Sequence, residues 1–210
     1  MSGAGVGIDV GASRLHAVAL RDGRVVAADV LDVGDLDEVV EWVRAVGEVR
    51  RIAVDAPSAL SPGAHADDTR LAPKFRAARC GEIALGRDAG VWVPWVSPPV
   101  GATDLAPWIR VGLEVFAALA AGGHDVVETF PHAVFRALAD GRRIAAKSTA
   151  AGLAERVARL HAAGVEEATL PMWGHDGLDA CAAALVAADP SARAITCGHD
   201  GSSIWLPAPV

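Results

Sequence analysis

The order of elements in the first 55 residues is the feature that most constrains the fold. Residues 6–20 have the pattern of a strand, a tight glycine turn and a returning strand. Asp22-Gly23 is a strong hairpin signal before a third strand over 24–31. An acidic helix start at 35–38 and a short apolar strand over 52–55 follow. The order β-β-β-α-β predicts an antiparallel meander, then a crossover helix and a strand parallel to its neighbour.

The rest of the chain alternates helices with one further strand of the main sheet. Residues 109–121, 132–138 and 148–163 have helical patterns, and 125–128 has the pattern of an apolar strand. We predict an α/β fold, with a mixed five-stranded sheet in the order β-β-β-α-β-α-β-α and helices on both faces. The chain is long enough for one such domain over 1–210. Residues 58–108 carry six prolines and several glycines, and we expect them to form an irregular insertion.

Composition limits the functional classes to which the protein can belong. The formal net charge of −7 argues against a broad nucleic-acid surface, although a local basic patch is compatible with it. No apolar run approaches the ~20 residues of a membrane span, and the N-terminus lacks a secretory pattern. Three cysteines without CxxC spacing favour reduced thiols and a cytoplasmic location. Cys197-x-His199 resembles half of a metal site, but two partners are missing from the local sequence.

Two acidic residues end strands that the predicted topology makes neighbours. Asp9 lies in an apolar strand, where a carboxylate is costly to bury unless it is paired, protonated or bound to a cation. Asp55 ends the strand after the crossover helix. If that strand lies beside the first one, both carboxylates enter one crevice at the carboxyl ends of parallel strands. The alternative is that Asp9 faces water.

Further acidic residues are candidates for the same crevice. Asp176 and Asp179 open a late alanine-rich helix, three residues apart and hence on nearly one face. A capping role explains Asp176 easily and Asp179 less well, because the residues after Asp179 turn this face inward. Glu128 ends the strand over 125–128, although it is also compatible with a solvated strand end. His175 is a candidate for proton transfer or for orienting a carboxylate, although loop histidines commonly do neither.

The segment 58–108 concentrates cationic and aromatic side chains. These are Arg70, Lys74, Arg76, Arg79 and Arg87, with Trp92, Trp95 and Trp108 close behind. Guanidinium groups suit phosphate oxygens and indole rings stack on bases, so this segment is a candidate nucleic-acid surface. The alternative is a solvated cationic face with tryptophans that pack the loop onto the domain. Arg79 and Glu82 could likewise simply pair on a helical turn.

Clustered carboxylate oxygens suit Mg²⁺ or Mn²⁺, because without a cation their charges repel one another. Two such ions about 4 Å apart can hold the attacking and leaving oxygens of a phosphodiester. The strand order and the late acidic helix resemble the ribonuclease H-like superfamily, and the run over 175–180 is similar to the last motif of its Holliday-junction resolvases. Five motifs more closely resemble a family of predicted nucleases, domain of unknown function four-two-nine. They are Gly7-Ile8-Asp9, Val54-Asp55-Ala56-Pro57, Arg79-Cys80-Gly81-Glu82, Glu128-Thr129-Phe130-Pro131 and His175-Asp176-Gly177-Leu178-Asp179-Ala180.

The resemblance implies metal-dependent phosphodiester hydrolysis of nucleic acid or a nucleotide. It implies Asp9, Asp55, Asp179 and Asp176 as metal ligands and adds Glu128 to the catalytic carboxylates. Arg79, Glu82 and His175 are the matching candidates for substrate contacts. The middle acid of the resolvases is a glutamate, so the shorter Asp55 departs from their pattern.

Two other functions are compatible with the sequence. One is a non-catalytic binding or scaffold protein of the same fold. The other is phosphotransfer, because residues 9–13 also resemble the first phosphate loop of actin-like kinases and ATPases. Those enzymes use two domains of this fold, whereas this chain has the length of one and shows no second glycine-rich phosphate loop.

Overall fold

A meander of three strands opens the fold. The structure, a computed structural model, describes residues 3–208. Strands β1 (Ala4–Val10), β2 (Arg14–Arg21) and β3 (Arg24–Asp32) pair antiparallel in chain order. Asp22 and Gly23 both have positive φ, 50° and 81°, which is typical of the type I′ turn that matches strand twist. The hairpin predicted from Asp22-Gly23 is therefore confirmed.

Two parallel strands complete the main sheet. Helix α1 (Leu36–Val46) begins after Asp35, whose side chain accepts a hydrogen bond from the Glu38 N–H. It leads into β4 (Val49–Asp55), which pairs parallel with β1, and β5 (Val126–Glu128) pairs parallel with β4. The strand order in the sheet is β3-β2-β1-β4-β5. The predicted α/β class and mixed five-stranded sheet are confirmed.

Helices cover both faces of the main sheet, because successive positions of β1 face alternately into two different cores. Alternate side chains of a strand point to opposite faces. Val6, Ile8 and Val10 pack into a core with α1 and with α3 (Pro107–Ala121). The positions between them, Gly5 and Gly7, lie against α6 (His175–Ala188). Helices α4 (Pro131–Leu138) and α5 (Ala150–Ala162) share the hydrophobic core of α6.

Gly7 allows α6 to lie unusually close to the sheet. A Cβ atom at Gly7 would stand 2.1 Å from the Ala180 carbonyl oxygen and 2.1 Å from the Ala184 nitrogen. Both atoms are backbone, so they have no rotamer by which to move away. The alanine-rich helix and the strand glycine together permit this approach, which brings the first turn of α6 over the end of β1.

The segment 58–108 contains regular structure that the sequence did not predict. It forms a 3₁₀ helix over Pro73–Ala77 and helix α2 (Cys80–Asp88). A two-stranded ribbon of β6 (Arg193–Ile195) and β7 (Ile204–Leu206) lies beyond α6, and Thr129 Oγ1 donates a hydrogen bond to the Trp205 carbonyl. Within residues 3–208, no helix has both the length and the apolar composition needed to cross a bilayer.

The structure contradicts the expectation that all three cysteines are reduced. The structure joins Cys80 at the start of α2 to Cys197, after β6, as a disulfide, whereas the sequence favoured reduced thiols throughout. Cys181 remains a free, buried thiol in α6. The pairing was missed because the two cysteines are 117 residues apart, and only the tertiary fold makes them neighbours.

Candidate carboxylate site

Asp9 and Asp55 occupy paired positions on the adjacent parallel strands β1 and β4. Each carboxyl group perturbs the pKa of the other. Both residues lie at the carboxyl ends of their strands, the position at which open α/β sheets commonly bind ligands. The structure therefore brings together the two strand carboxylates that the predicted topology placed side by side.

Helix α6 adds two carboxylates to the pair. Asp179 is 3% exposed and interacts electrostatically with both Asp9 and Asp55. Asp176 lies one turn earlier, and its oxygen is within 4.8 Å of ligand atoms of Asp9 and His16. Asp176 is not the cap of α6, because Gly174 occupies the N-cap position. The capping interpretation of Asp176 is thus wrong, although an acid in the first turn still favours the helix dipole.

The cluster shifts the proton affinity of its members. Burial, followed by the charges of Asp179 and Asp176, raises the pKa of Asp9 to about 7. Burial and the charges of Asp9 and Asp179 likewise raise the pKa of Asp55 well above its ordinary value. Without a bound cation, both carboxyl groups therefore hold their protons to a higher pH than isolated carboxyl groups do.

Lys147 is a cation in direct contact with the cluster. Its Nζ donates a hydrogen bond of 2.7 Å to Asp179 Oδ2. Burial disfavours the ammonium, but the charges of Asp179, Asp9 and Asp55 raise the pKa of Lys147 above its ordinary value. Lys147 was not predicted from the sequence, because it lies in a connection between helices that has no periodic signal.

His16 is a second neighbour of the cluster that was not predicted from the sequence. Its Nδ1 lies 3.9 Å from Asp9 Oδ2. A signal was available, because the hairpin register pairs position 9 with position 16 across β1 and β2. If the residues of the two strands are paired outward from the predicted glycine turn, position 16 falls opposite position 9. That pairing places this imidazole beside the carboxylates.

A cleft of about 890 Å³ opens over the cluster and has an aromatic wall. Trp95 packs edge-on against Trp108 at a centroid separation of 4.8 Å and lies 6.2 Å from the Phe130 ring. Trp92 also lines the cleft and is 43% exposed. The tryptophans of the predicted insertion therefore face the same space as the carboxylates. His132, Lys147 and Arg156 also line the cleft.

Arg79, Glu82 and Glu128 form a separate buried cluster, which corrects their predicted roles. Arg79 is 1% exposed, and its guanidinium makes a two-pronged ion pair with Glu128, at 2.6 and 2.8 Å. It also contacts Glu82 Oε1 at 3.1 Å, so the pairing on a helical turn is the alternative that holds. Burial opposes the charge, yet Glu128 and Glu82 raise the pKa of Arg79 above its ordinary value.

This buried cluster joins α2 to the end of β5 and leaves no polar group of Arg79 for substrate. Ser97 Oγ donates to Glu82 Oε1 at 2.7 Å, and the Ser58 N–H donates to Glu128 Oε2 at 2.8 Å. None of Arg79, Glu82 and Glu128 lines the carboxylate cleft. This geometry therefore does not support the predicted substrate contacts of Arg79 and Glu82. It does not support the predicted catalytic role of Glu128 either.

His175 lies at the edge of the site. Its Nδ1 pairs with an oxygen of Asp176, and both side chains are about half exposed. His175 is not among the residues that line the cleft. Its geometry fits the orienting of a carboxylate better than contact with a substrate.

Comparison with known proteins gives one matching family model and several similar solved structures. The family model described as "Protein of unknown function (DUF429)" matches residues 97–200, a span that includes the motifs at Glu128 and His175. The chain is similar to "Thermus thermophilus RuvC structure", with 20% identity, a TM-score of 0.47, and coverage of 86% of this chain and 90% of that chain. It is also similar to "T. thermophilus RuvC in complex with Holliday junction substrate", with 18% identity, a TM-score of 0.47, and coverage of 86% and 89%. No curated protein matches. The resemblance to this family that the motifs predict is confirmed by the match of the family model over residues 97–200.

Proposed function

We propose that this chain is a divalent-metal-dependent phosphodiesterase that cleaves nucleic acid or a nucleotide. The observation that carries the proposal is the convergence of four carboxylates from β1, β4 and α6: Asp9, Asp55, Asp176 and Asp179. Ligand atoms of Asp9, His16 and Asp176 lie within 4.8 Å of one another. A purely structural role is a poor explanation, because mutual repulsion and burial make this arrangement costly without a cation.

The donor set fits Mg²⁺ or Mn²⁺. Both ions prefer carboxylate and water oxygens, and neither requires a dedicated cage of protein ligands. Asp9, Asp55 and Asp179 would hold the ion or ions, with Asp176 and His16 within reach of Asp9. When bound, such an ion supplies charge stabilisation to a phosphoryl group and lowers the pKa of a coordinated water.

The surrounding residues have roles that follow from their positions. Lys147 lies next to Asp179 and would contact a phosphate oxygen of the substrate. Arg156 also lines the cleft, although its Nη1 already donates to the carbonyls of Ala145 and Gly152. The rings of Trp92, Trp95 and Trp108 offer stacking surfaces for bases. We further propose that the whole chain acts as one domain, with the segment 58–108 supplying part of this aromatic wall.

A cleavage assay on the full chain tests the proposal. The substrates are labelled single-stranded, duplex and four-way-junction DNA, and RNA, with Mg²⁺ or Mn²⁺ and with a chelator. We expect cleavage that requires the ion and that Asp9→Asn abolishes while far-ultraviolet circular dichroism stays unchanged. Asp37→Asn, an exposed acid on α1 across the sheet, is the matched control and should cleave like wild type. Equal cleavage by wild type and Asp9→Asn would reject the assignment.

The aromatic wall has its own test. Removing one stacking ring costs about 1–3 kcal/mol per base, so Trp95→Ala should weaken binding of single-stranded oligonucleotide about 5- to 150-fold. Trp42→Ala removes an indole that packs on the opposite face of the sheet and should leave binding unchanged. Equal binding by the two variants would show that the aromatic rings only pack the loop.

A further inference from the structure

A second cluster of ligating side chains lies away from the carboxylate cleft. Nε2 of His65 is 3.4 Å from Sγ of Cys80 and 3.5 Å from Sγ of Cys197. These three ligand atoms all lie within 4.8 Å of one another. None of the three residues lines the cleft, so the cluster is independent of the proposed phosphodiesterase site.

The cluster is built from three segments that are distant in sequence. His65 comes from the connection after β4, Cys80 from the first turn of α2, and Cys197 from the turn between β6 and β7. His65 is 8% exposed and Cys80 is fully buried. The Cys197-x-His199 pattern lacked two partners in the sequence, and the fold supplies an imidazole and a thiol at that position.

The loop that carries Cys197 is held on the N-terminus of α2. The Cys80 N–H donates to Asp200 Oδ2 at 2.9 Å, and the Gly81 N–H donates to Ser202 Oγ at 3.0 Å. The His199 N–H donates to Cys80 Sγ at 3.3 Å. Hydrogen bonds from backbone amides to sulfur, together with a helix N-terminus, stabilise thiolate charge. The sulfur of Cys80 therefore lies in a setting suited to a thiolate.

We propose that, in the reduced chain, His65, Cys80 and Cys197 bind one Zn²⁺. Two thiolates and one imidazole are ligands that zinc prefers, in contrast to the oxygen ligands of the carboxylate cleft. His199 lies outside this group of three, but its ring is exposed, with its centroid 6.3 Å from that of His65, and rotation of the side chain would bring it to the fourth position. The zinc site and the Cys80–Cys197 disulfide are alternative states of the same two sulfurs.

A dithiol reductant converts the disulfide state into the zinc-binding state. Thiolate attack by the reductant breaks the Cys80–Cys197 bond, and the reductant leaves as its own disulfide after transferring two electrons and two protons. Zn²⁺ then displaces the two thiol protons and takes both sulfurs as ligands. Either state ties α2 to the β6–β7 ribbon, immediately beside the buried ion pairs of Arg79.

The test uses the full chain, reduced with a phosphine and supplied with Zn²⁺ or Co²⁺. We expect one Zn²⁺ retained per chain after gel filtration, and a tetrahedral Co²⁺ spectrum with sulfur-to-metal charge-transfer bands. His65→Asn and Cys197→Ser should lose both signals, and His199→Asn should lower the affinity. Asp9→Asn and Cys181→Ser should retain them, because they lie outside the cluster. Retention of zinc by the Cys197 variant, or its loss in Asp9→Asn, would overturn the proposal.

A second measurement needs no variant and so does not depend on the folding of a cysteine mutant. Zn²⁺ should protect Cys80 and Cys197 of the reduced wild-type chain from alkylation, with the modified positions read by peptide mass spectrometry. Cys181 is buried in α6 and serves as the internal reference. Equal alkylation of Cys80 and Cys197 with and without Zn²⁺ would overturn the proposal.

Discussion

Asp9 and Asp55 occupy directly paired positions of the adjacent parallel strands β1 and β4, so two carboxyl groups lie side by side at one end of the sheet. Burial and the charges of neighbouring carboxylates raise the pKa of both groups. The folded chain therefore stores a proton that the unfolded chain would release at the same pH. Because the pair lies in the proposed metal site, stability, protonation and cation binding are linked at these two residues.

The first prediction is a loss of stability with rising pH in the cation-free protein. Asp9 ionises near pH 3.8 in the unfolded chain and near 7 in the folded chain. Between these values the folded state binds more protons, so raising the pH favours unfolding. The melting temperature should fall from about pH 4 to about pH 7, and Asp9→Asn should reduce this slope. An equally steep slope in the variant would contradict the pKa assigned to Asp9.

The second prediction concerns cation removal. A divalent ion displaces the proton, so Mg²⁺ or Mn²⁺ should stabilise the protein more at pH 8 than at pH 5. At a concentration one hundred times Kd the expected gain is about 2.7 kcal/mol, and a chelator should reverse it. Thermal unfolding at both pH values measures the difference. A gain that is the same at pH 5 and pH 8, or unchanged in Asp9→Asn, would place the ion elsewhere.

The sequence predicted those parts of the fold that follow from local patterns and chain topology. The Asp22-Gly23 turn, the order of the strands and the neighbouring positions of Asp9 and Asp55 all follow from pairing rules. The approach of α6 to β1 required knowing that Gly7 faces the helix rather than the opposite face. This choice of face depends on the whole core and not on any short segment.

The residues placed wrongly are those whose partners are distant in sequence. Arg79 and Glu128 are 49 residues apart, and nothing near either one predicts that they meet. The same holds for Cys80 and Cys197. An arginine among other cations resembles a phosphate contact until a buried carboxylate is known to pair with it. Long-range ion pairs and sulfur pairs are therefore the features that single-sequence reasoning misses.

The third prediction tests the buried role of Arg79. Arg79→Met removes the partner of two carboxylates that are at most 3% exposed, which should destabilise the fold by about 3–5 kcal/mol. Chemical denaturation measures this loss. The triple variant Arg79→Met, Glu82→Gln, Glu128→Gln leaves no unpaired charge and should recover part of the stability. If Arg79→Met weakened nucleic-acid binding without destabilising the chain, the arginine would be a substrate contact after all.

The fourth prediction concerns the close approach of α6. Gly7→Ala places a methyl group against backbone atoms of Ala180 and Ala184, so the helix must move away from β1. Overpacking of this kind typically costs about 1–3 kcal/mol, and here it also separates Asp179 from Asp9. Gly174→Ala is the matched control, because nothing lies within 4 Å of its new methyl group. We expect lower stability and weaker Mg²⁺ binding by calorimetry for Gly7→Ala, and neither change for the control.

The fifth prediction separates two roles of Lys147, which neutralises Asp179 and faces the cleft. Lys147→Met frees Asp179 Oδ2, so Mg²⁺ should bind more tightly in calorimetry. The same variant loses a phosphate contact, so oligonucleotide affinity should fall, and the slope of log affinity against log salt should decrease by about 1. Arg110→Met removes an exposed cation of α3 that does not line the cleft and should change neither quantity. Removing a phosphate contact must weaken the complex with the oligonucleotide. Tighter Mg²⁺ binding with unchanged oligonucleotide affinity would therefore show that Lys147 contacts the carboxylates and not the phosphate.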